Sequence, residues 1–458
     1  MARRPIPPTR REILEGTAAG LVVAGLPGCE GGEDTATLEP GAIDHVIVVM
    51  MENRSFDHYL GALSLEEGRA VDGLAADMAN ADLEGTPVSP FHLTEKCQQD
   101  PPHGWHSCHR QFNDGANDGF VTEHESKVGA GEGTWVMGWY GRSDLPVTYG
   151  LADAFCVPDR WFCSVMSSTW PNRFYGHAGT SMGRPNNTMP DGGFTASTVY
   201  KQLEAVGEDW RCYYTDLPFM GLLADHYSPD RFRFVTEFFE DAAAGKLPAF
   251  TWIDPGFASN DDHPPHHPGL GQIFLGSIYE ALARSPQWER CLLVITYDEH
   301  GGFFDHVPPP TTDDDHIADG FDQLGFRVPT LVVGPWVRQG IDSTVYDHTS
   351  VLRYVCERWG IAPWTRRIAA ANSLSSALDT ERMASGIPLE APVLPVVEVP
   401  QEELGPQCQY GGLFRSAQPE LESWILRHLP HLSRLDDAER TQAELLRVAR
   451  DLGVIRKG

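Results

Sequence analysis

Beyond its first forty residues the chain opens on HVIVVM (45–50), a continuous apolar and β-branched run, and runs of the same kind return as AFTWI, CLLVITY and TLVVG. A strand with one face in water alternates apolar and polar residues; one covered on both faces does not. These runs therefore predict buried strands. Between them lie stretches with apolar residues at helical spacing, such as GQIFLGSIYEALARS. The predicted class is α/β, a mainly parallel central sheet sandwiched by helices.

In open sheets of this class ligands sit beyond the carboxyl ends of the strands. HVIVVM runs into Met51-Glu52-Asn53, and CLLVITY runs into Asp298-Glu299-His300-Gly301-Gly302. Glu52, Asn53, Asp298 and Glu299 are thus candidate ligands of one divalent cation. An all-oxygen set favours Mg²⁺, Ca²⁺ or Mn²⁺ over Zn²⁺. Acidic residues after strands also cap helices or face solvent, and neighbours on a regular strand point to opposite faces. Asp298 and Glu299 can share an ion only if the strand has already ended.

The stretch from about 64 to 135 is rich in Gly, Pro, His and Asn and weak in periodicity, which predicts loops and short helices forming a lid or wall over the strand ends. At 386 the pattern breaks into GIPLEAPVLPVVEVPQEE, a Pro-rich connector, followed by LDDAERTQAELLRVARDLG with helical spacing and a terminal Gly. A main domain over 43–385 and a small helical C-terminal appendage over 386–458 are expected.

The first residues carry addressing signals. TRREILE (9–15) sets an arginine pair before the short apolar stretch GTAAGLVVAGLPGC, the arrangement of a twin-arginine signal, and Leu26-Pro27-Gly28-Cys29 resembles a lipobox. Residues 1–28 are read as signal and 29–42 as an acidic, Gly-containing linker. The expected location is periplasmic, membrane-anchored through a lipid on Cys29, or extracellular. Setting Cys29 aside leaves eight of nine cysteines, enough for up to four disulfides in an oxidising compartment, with buried free thiols as the alternative. The net charge of −29 excludes nucleic acid as a natural partner, and no later apolar run is long enough to span a bilayer.

Four further groups carry candidate chemistry. In Ser167-Ser168-Thr169-Trp170-Pro171-Asn172-Arg173 a hydroxyl lies two positions before a proline, as at a helix N-terminus, where either capping or anion binding is served. Histidines cluster at His103, His106 and His109, at His263, His266 and His267, and at His306, suited to metal binding or proton transfer. Gly179-Thr180-Ser181-Met182-Gly183 fits the esterase nucleophile elbow, but NRFYGHA before it and RPNN after it do not supply the strand and helix that the elbow needs. Trp105, Trp135, Trp139 and Tyr140 could cage a quaternary ammonium or simply pack.

Five ordered blocks carry a resemblance: HVIVVMMENRSFDHYLG, SSTWPNRFYGHAGTS, LPAFTWIDPG with DDHPPHH, SPQWERCLLVITYDEHGGFFDHVPPP, and YDHTSVLRYVCERWG. From about 43 to 380 the chain resembles the bacterial phosphoesterase family of phosphatidylcholine-type phospholipases C and the related acid phosphatase, within the alkaline phosphatase superfamily. The resemblance implies an alkaline-phosphatase-like fold. It also implies a metal (Ca²⁺, Mg²⁺, Mn²⁺ or Zn²⁺) held by Glu52, Asn53, Asp298 and Glu299 and bridged to a hydroxyl nucleophile, Thr169, with Ser168 beside it. His103, His263 and His306 fall where phosphate contact and proton transfer are expected. The family's larger phospholipases carry extra C-terminal β domains where this chain has its connector and helix, which weakens transfer of a membrane-lipid substrate but not of the reaction. The expected activity is phospholipase C on phospholipid through a phosphothreonine. The alternatives are a phosphomonoesterase on soluble substrates and a non-catalytic surface lipoprotein.

Overall fold

The structure, a computed structural model, describes residues 43–223, 230–410 and 415–456. The signal, the lipobox-like cysteine and the linker lie outside them. Eight strands form the central sheet: β1 (His45–Met51), β2 (Cys156–Pro158), β3 (Trp210–Tyr214), β4 (Phe232–Phe234), β5 (Phe250–Asp254), β6 (Cys291–Tyr297), β7 (Leu331–Val333) and β8 (Gly340–Asp342). Their order is β8-β2-β7-β6-β1-β5-β3-β4. Seven run in one direction and β7 alone opposes them. The mainly parallel sheet is as expected; TLVVG is its antiparallel member, because an apolar run carries no information about direction.

Continuous apolar runs bury both strand faces here: every residue from Val46 to Met51 and from Cys291 to Tyr297 is buried. Two groups of helices provide the cover. One gathers α1 (Pro146–Ala154), α4 (Val235–Ala243) and α8 (Ala438–Leu452) around α5 (Pro268–Ala283). The other sets α2 (Thr169–Ala178) and α3 (Val199–Val206) against α6 (Thr349–Trp359). Among the described residues no helix is long and apolar enough to cross a membrane.

Register decides where the chemistry falls. β1 and β6 are parallel neighbours with Met51 opposite Tyr297, so Glu52 and Asp298 leave the sheet side by side. On the other flank β5 pairs Ile253 with Val49 and ends at Asp254. The stretch before residue 135 folds into short strands and helices, including Trp105–Phe112 and Phe120–Val128, and lies over these ends: Phe120 packs edge-on against His300 and Phe304.

The C-terminal residues form part of the same compact unit, Pro40–Gly458. α7 (Pro419–His428) buries Leu421 and Ile425, and α8 packs on α5. Cys97 and Cys408, 311 residues apart, form a disulfide that ties the connector to the loop before Asp100. The six other described cysteines are free and buried.

Candidate active site

Each donor comes from a strand end or a helix start, and local backbone explains why. After β1 the chain turns at once: Asn53 takes φ +56°, a left-handed conformation that Asn tolerates better than most residues. After β6 the chain has left the strand before Asp298, whose Oδ1 accepts from its neighbour Glu299 N at 2.8 Å and from Asn53 N at 3.2 Å. The condition for Asp298 and Glu299 to face one place is therefore met. Gly301, at φ +65°, closes this turn against β1; a Cβ there would fall 2.1 Å from the Asn53 carbonyl oxygen. Its N–H donates to Glu299 Oε2 at 2.7 Å.

The hydroxyl comes from α2. Ser168 is its N-cap and makes no side-chain capping bond, while Thr169 Oγ donates to Glu52 Oε2 at 3.3 Å. Thr169, rather than Ser168, meets the carboxylate. One turn on, Arg173 is fully buried, with Nη2 2.7 Å from Glu52 Oε1, Nε 3.1 Å from Asp298 Oδ2 and Nη1 3.3 Å from Asp254 Oδ1. Nη2 also donates to the carbonyls of Met50 and Met51 at 3.1 and 3.2 Å. Burial works against the guanidinium's charge, but the three carboxylates hold its pKa above the usual value. Neither Arg173 nor Asp254 was singled out from sequence. Asp254 follows the strand-end rule that found Asp298, whereas only the fold reveals the role of Arg173.

Burial and the neighbouring Asp298 push the Glu52 carboxyl well above the ordinary range, against the pull of Arg173. Burial likewise raises Glu299, opposed by His103. Glu52 Oε1, Asn53 Oδ1 and Glu299 Oε1 are buried and accept no hydrogen bond; at Glu52 Oε1 the guanidinium is near but misaligned. An unsatisfied buried acceptor costs about 1–3 kcal/mol. By donor type, oxygens of this kind fit a hard divalent cation.

Two of the predicted histidines join this group. His103 Nδ1 donates to the Pro101 carbonyl at 2.6 Å, and Nε2 comes within 3.4 Å of Asn53 Nδ2 and 3.5 Å of Glu299 Oε1. Burial would lower its pKa, but Asp100 and Glu299 carry it up to about 9. His263 lies edge-on with ring centroids 6.0 Å from His103, its Nδ1 donating to the Pro264 carbonyl. Burial lowers its pKa and leaves the ring neutral. Among the described residues, the group of His, Cys, Asp or Glu side chains whose ligand atoms lie within 4.8 Å of one another is Asp100, His103 and His263, without Glu52, Asp298 or Glu299.

His306 is placed elsewhere. Its ring nitrogens pair with Asp57 at 2.7 Å and Asp72 at 3.0 Å, in a network around buried Arg327, and none of its hydrogen bonds reaches Glu52, Asn53, Thr169, Asp298 or Glu299. The four aromatic residues do not form one cage: Trp105 packs on His109 and Phe321, Trp135 on His124 and Phe303, Trp139 on His92, and Tyr140 on His58. Ser181 follows α2 and its capping Gly179, without the preceding strand that an esterase elbow requires.

Sequence also overlooked His348 and Gln418. His348 Nε2 donates to the Asp298 carbonyl at 2.7 Å while Nδ1 accepts from Trp161 Nε1 at 3.3 Å, which fixes its tautomer. Gln418, from the C-terminal segment, donates to both Glu52 and Thr169. Nothing in the pattern around residue 418 signals this.

A hydroxyl, a set of unsatisfied acceptors at parallel strand ends and paired histidines thus lie together at one end of the sheet. The chain belongs to the Phosphoesterase family, whose model matches residues 43–362. It is 37% identical over 332 residues to non-specific phospholipase C1 of Arabidopsis thaliana, covering 66% of this chain and 62% of that protein. It is 31% identical over 386 residues to phospholipase C B of Mycobacterium tuberculosis, covering 70% and 74%. To non-hemolytic phospholipase C of Burkholderia pseudomallei it is 30% identical over 429 residues, covering 74% and 59%. The chain thus spans less than two thirds of some of these relatives.

Replacing Arg173 by Met should leave Glu52, Asp254 and Asp298 uncompensated. Urea unfolding without added cation should show a loss of about 3–5 kcal/mol, partly recovered by a divalent ion. A loss below about 1 kcal/mol, the range of an exposed pair, would contradict this role.

Proposed function

We propose that this chain is an exported, divalent-cation-dependent phosphoesterase of the phospholipase C type. It would cleave phospholipid on the glycerol side of phosphate through a phosphothreonine at Thr169, releasing diacylglycerol and a phospho-head group. The observation that carries this reading is Thr169 Oγ held against Glu52 beside three unsatisfied acceptors. The relatives' names point the same way.

Glu52, Asn53, Asp298 and Glu299 would hold the cation beside Thr169 Oγ, where it would favour the alkoxide and offset charge on phosphoryl oxygens. The protein's own groups supply the remainder. Thr169 Oγ bonds to phosphorus as the P–O bond to glycerol breaks, and the hydroxyl proton has Glu52 Oε2 as its acceptor at 3.3 Å. His103, protonated at neutral pH, is the donor to the departing glycerol oxygen. His263 is neutral with Nε2 unprotonated, suited to accept a proton from the water that hydrolyses the phosphothreonine. Asn53, His103 and His263 are the proposed phosphoryl contacts. Two displacements give net retention at phosphorus. His306, occupied by Asp57 and Asp72, has no part in these steps.

Thr169→Ala should lower turnover of p-nitrophenylphosphorylcholine by about 10³-fold or more, and chelation should abolish the wild-type activity until a cation is restored. Full activity of Thr169→Ala would overturn the mechanism. A strong preference for p-nitrophenyl phosphate would favour the phosphomonoesterase, and inactivity on both esters after metal screening would favour the non-catalytic lipoprotein.

Export rests on the Arg10-Arg11 pair and Cys29. In a bacterium with twin-arginine transport and lipoprotein processing, Cys29→Ser should move the protein out of the membrane fraction. Wild-type chain retained unprocessed in the cytoplasm would contradict it.

A further inference from the structure

We propose that Gln418 is a positioning residue of this site: its side-chain amide holds the Thr169 hydroxyl and the Glu52 carboxylate in one arrangement, which makes residues 415–428 part of the catalytic unit. The inference rests on the reading of Thr169 as nucleophile. Residue 418 lies beyond the region matched by the family.

Gln418 Nε2 is 2.7 Å from Glu52 Oε2 and 3.0 Å from Thr169 Oγ. An amide nitrogen carries two protons, and here each has an acceptor. With both donors committed, the orientation of the amide is set, and Oε1 is left buried without a partner. The residue is 3% exposed, so the two bonds form away from water, where competition is least.

The arrangement has a chemical consequence. A threonine hydroxyl offers one proton and two lone pairs. Its proton is directed at Glu52 Oε2, and one lone pair accepts from Gln418, which leaves one lone pair for phosphorus. A donor on Oγ also favours the alkoxide over the alcohol, both when the oxygen attacks and when it leaves as the phosphothreonine is hydrolysed. A neutral amide suits this position electrostatically. A carboxylate would add to the crowding of Glu52, Asp298 and Glu299, and an apolar side chain would leave Glu52 Oε2 without its shortest bond.

The C-terminal segment is fastened so that this amide is delivered accurately. Gln418 is the N-cap of α7; its own N–H donates to Ser416 Oγ at 2.9 Å, and Ala417 N–H donates to the Phe257 carbonyl, just beyond β5, at 2.7 Å. Leu421 and Ile425 are fully buried beneath the helix, and Arg434 N–H donates to the Asp216 carbonyl at 2.9 Å. Upstream, the connector is joined to the histidine loops. Cys408 is bonded to Cys97, Glu403 Oε2 lies 3.0 Å from His267 Nε2, and the Tyr410 ring stands edge-on to His263. A polar side chain reaching across 366 residues to the candidate nucleophile is thus held from both directions.

The test uses the full chain with Gln418→Ala and Gln418→Met, the second keeping length without a donor. With whichever chromogenic ester the wild type turns over faster, kcat should fall about 10–100-fold in both variants while KM stays within about twofold. Mn²⁺ affinity of the substrate-free, chelator-treated protein, read by calorimetric titration, should weaken about tenfold, and thermal unfolding should stay cooperative with its midpoint lowered only by the loss of these buried hydrogen bonds. If Gln418→Met matches wild type in kcat and Mn²⁺ affinity, the side chain only fills space and the proposal is overturned. Thr169→Ala separates the two readings: its full activity would remove the nucleophile itself, whereas its inactivity beside a wild-type Gln418→Met would remove the role of Gln418 alone.

Discussion

The guanidinium of Arg173 sits without solvent among Glu52, Asp254 and Asp298, the side chains that leave three adjoining strands at one edge of the sheet. Buried carboxylates at such spacing repel one another and lose hydration, so they persist only if a compensating charge is built in. Arg173 provides it from the first turns of α2, the helix that also carries Thr169. The ion-pair cluster thereby sets the helix against the strand ends and brings the hydroxyl to Glu52. Fold and site are one arrangement here: the apolar strands place the acids, and the acids place the helix.

That compensation is incomplete. Burial keeps the Glu52 and Glu299 carboxyls above the ordinary range in spite of Arg173 and His103. Glu52 Oε1, Asn53 Oδ1 and Glu299 Oε1 are left without a hydrogen-bond donor. The C-terminal segment closes the other side, so that a stretch outside the matched family region touches the central groups of the site.

Much of this was legible from residue order. Uninterrupted apolar runs identified β1, β5, β6 and β7, and polar residues directly after β1 and β6 located Glu52, Asn53, Asp298 and Glu299, because parallel neighbours in register bring such positions together whatever lies between them. The resemblance implied Thr169, with Ser168 beside it; that the Thr169 hydroxyl meets Glu52 depends on where α2 starts. Strand direction at β7, the Cys97–Cys408 pairing and the contacts of His306 depend on how distant segments pack. Arg173 looked like one more residue of a helix, and Gln418 had no local signature at all, because its partners are more than 240 residues away.

The central claim is that these strand ends form a cation site, and anomalous diffraction from crystals soaked in Mn²⁺ tests it most directly. The account predicts a peak within bonding distance of Glu52 Oε1, Asn53 Oδ1 and Glu299 Oε1, next to Thr169 Oγ. A peak confined to Asp100, His103 and His263, or no peak with those oxygens accepting hydrogen bonds from water instead, would contradict it.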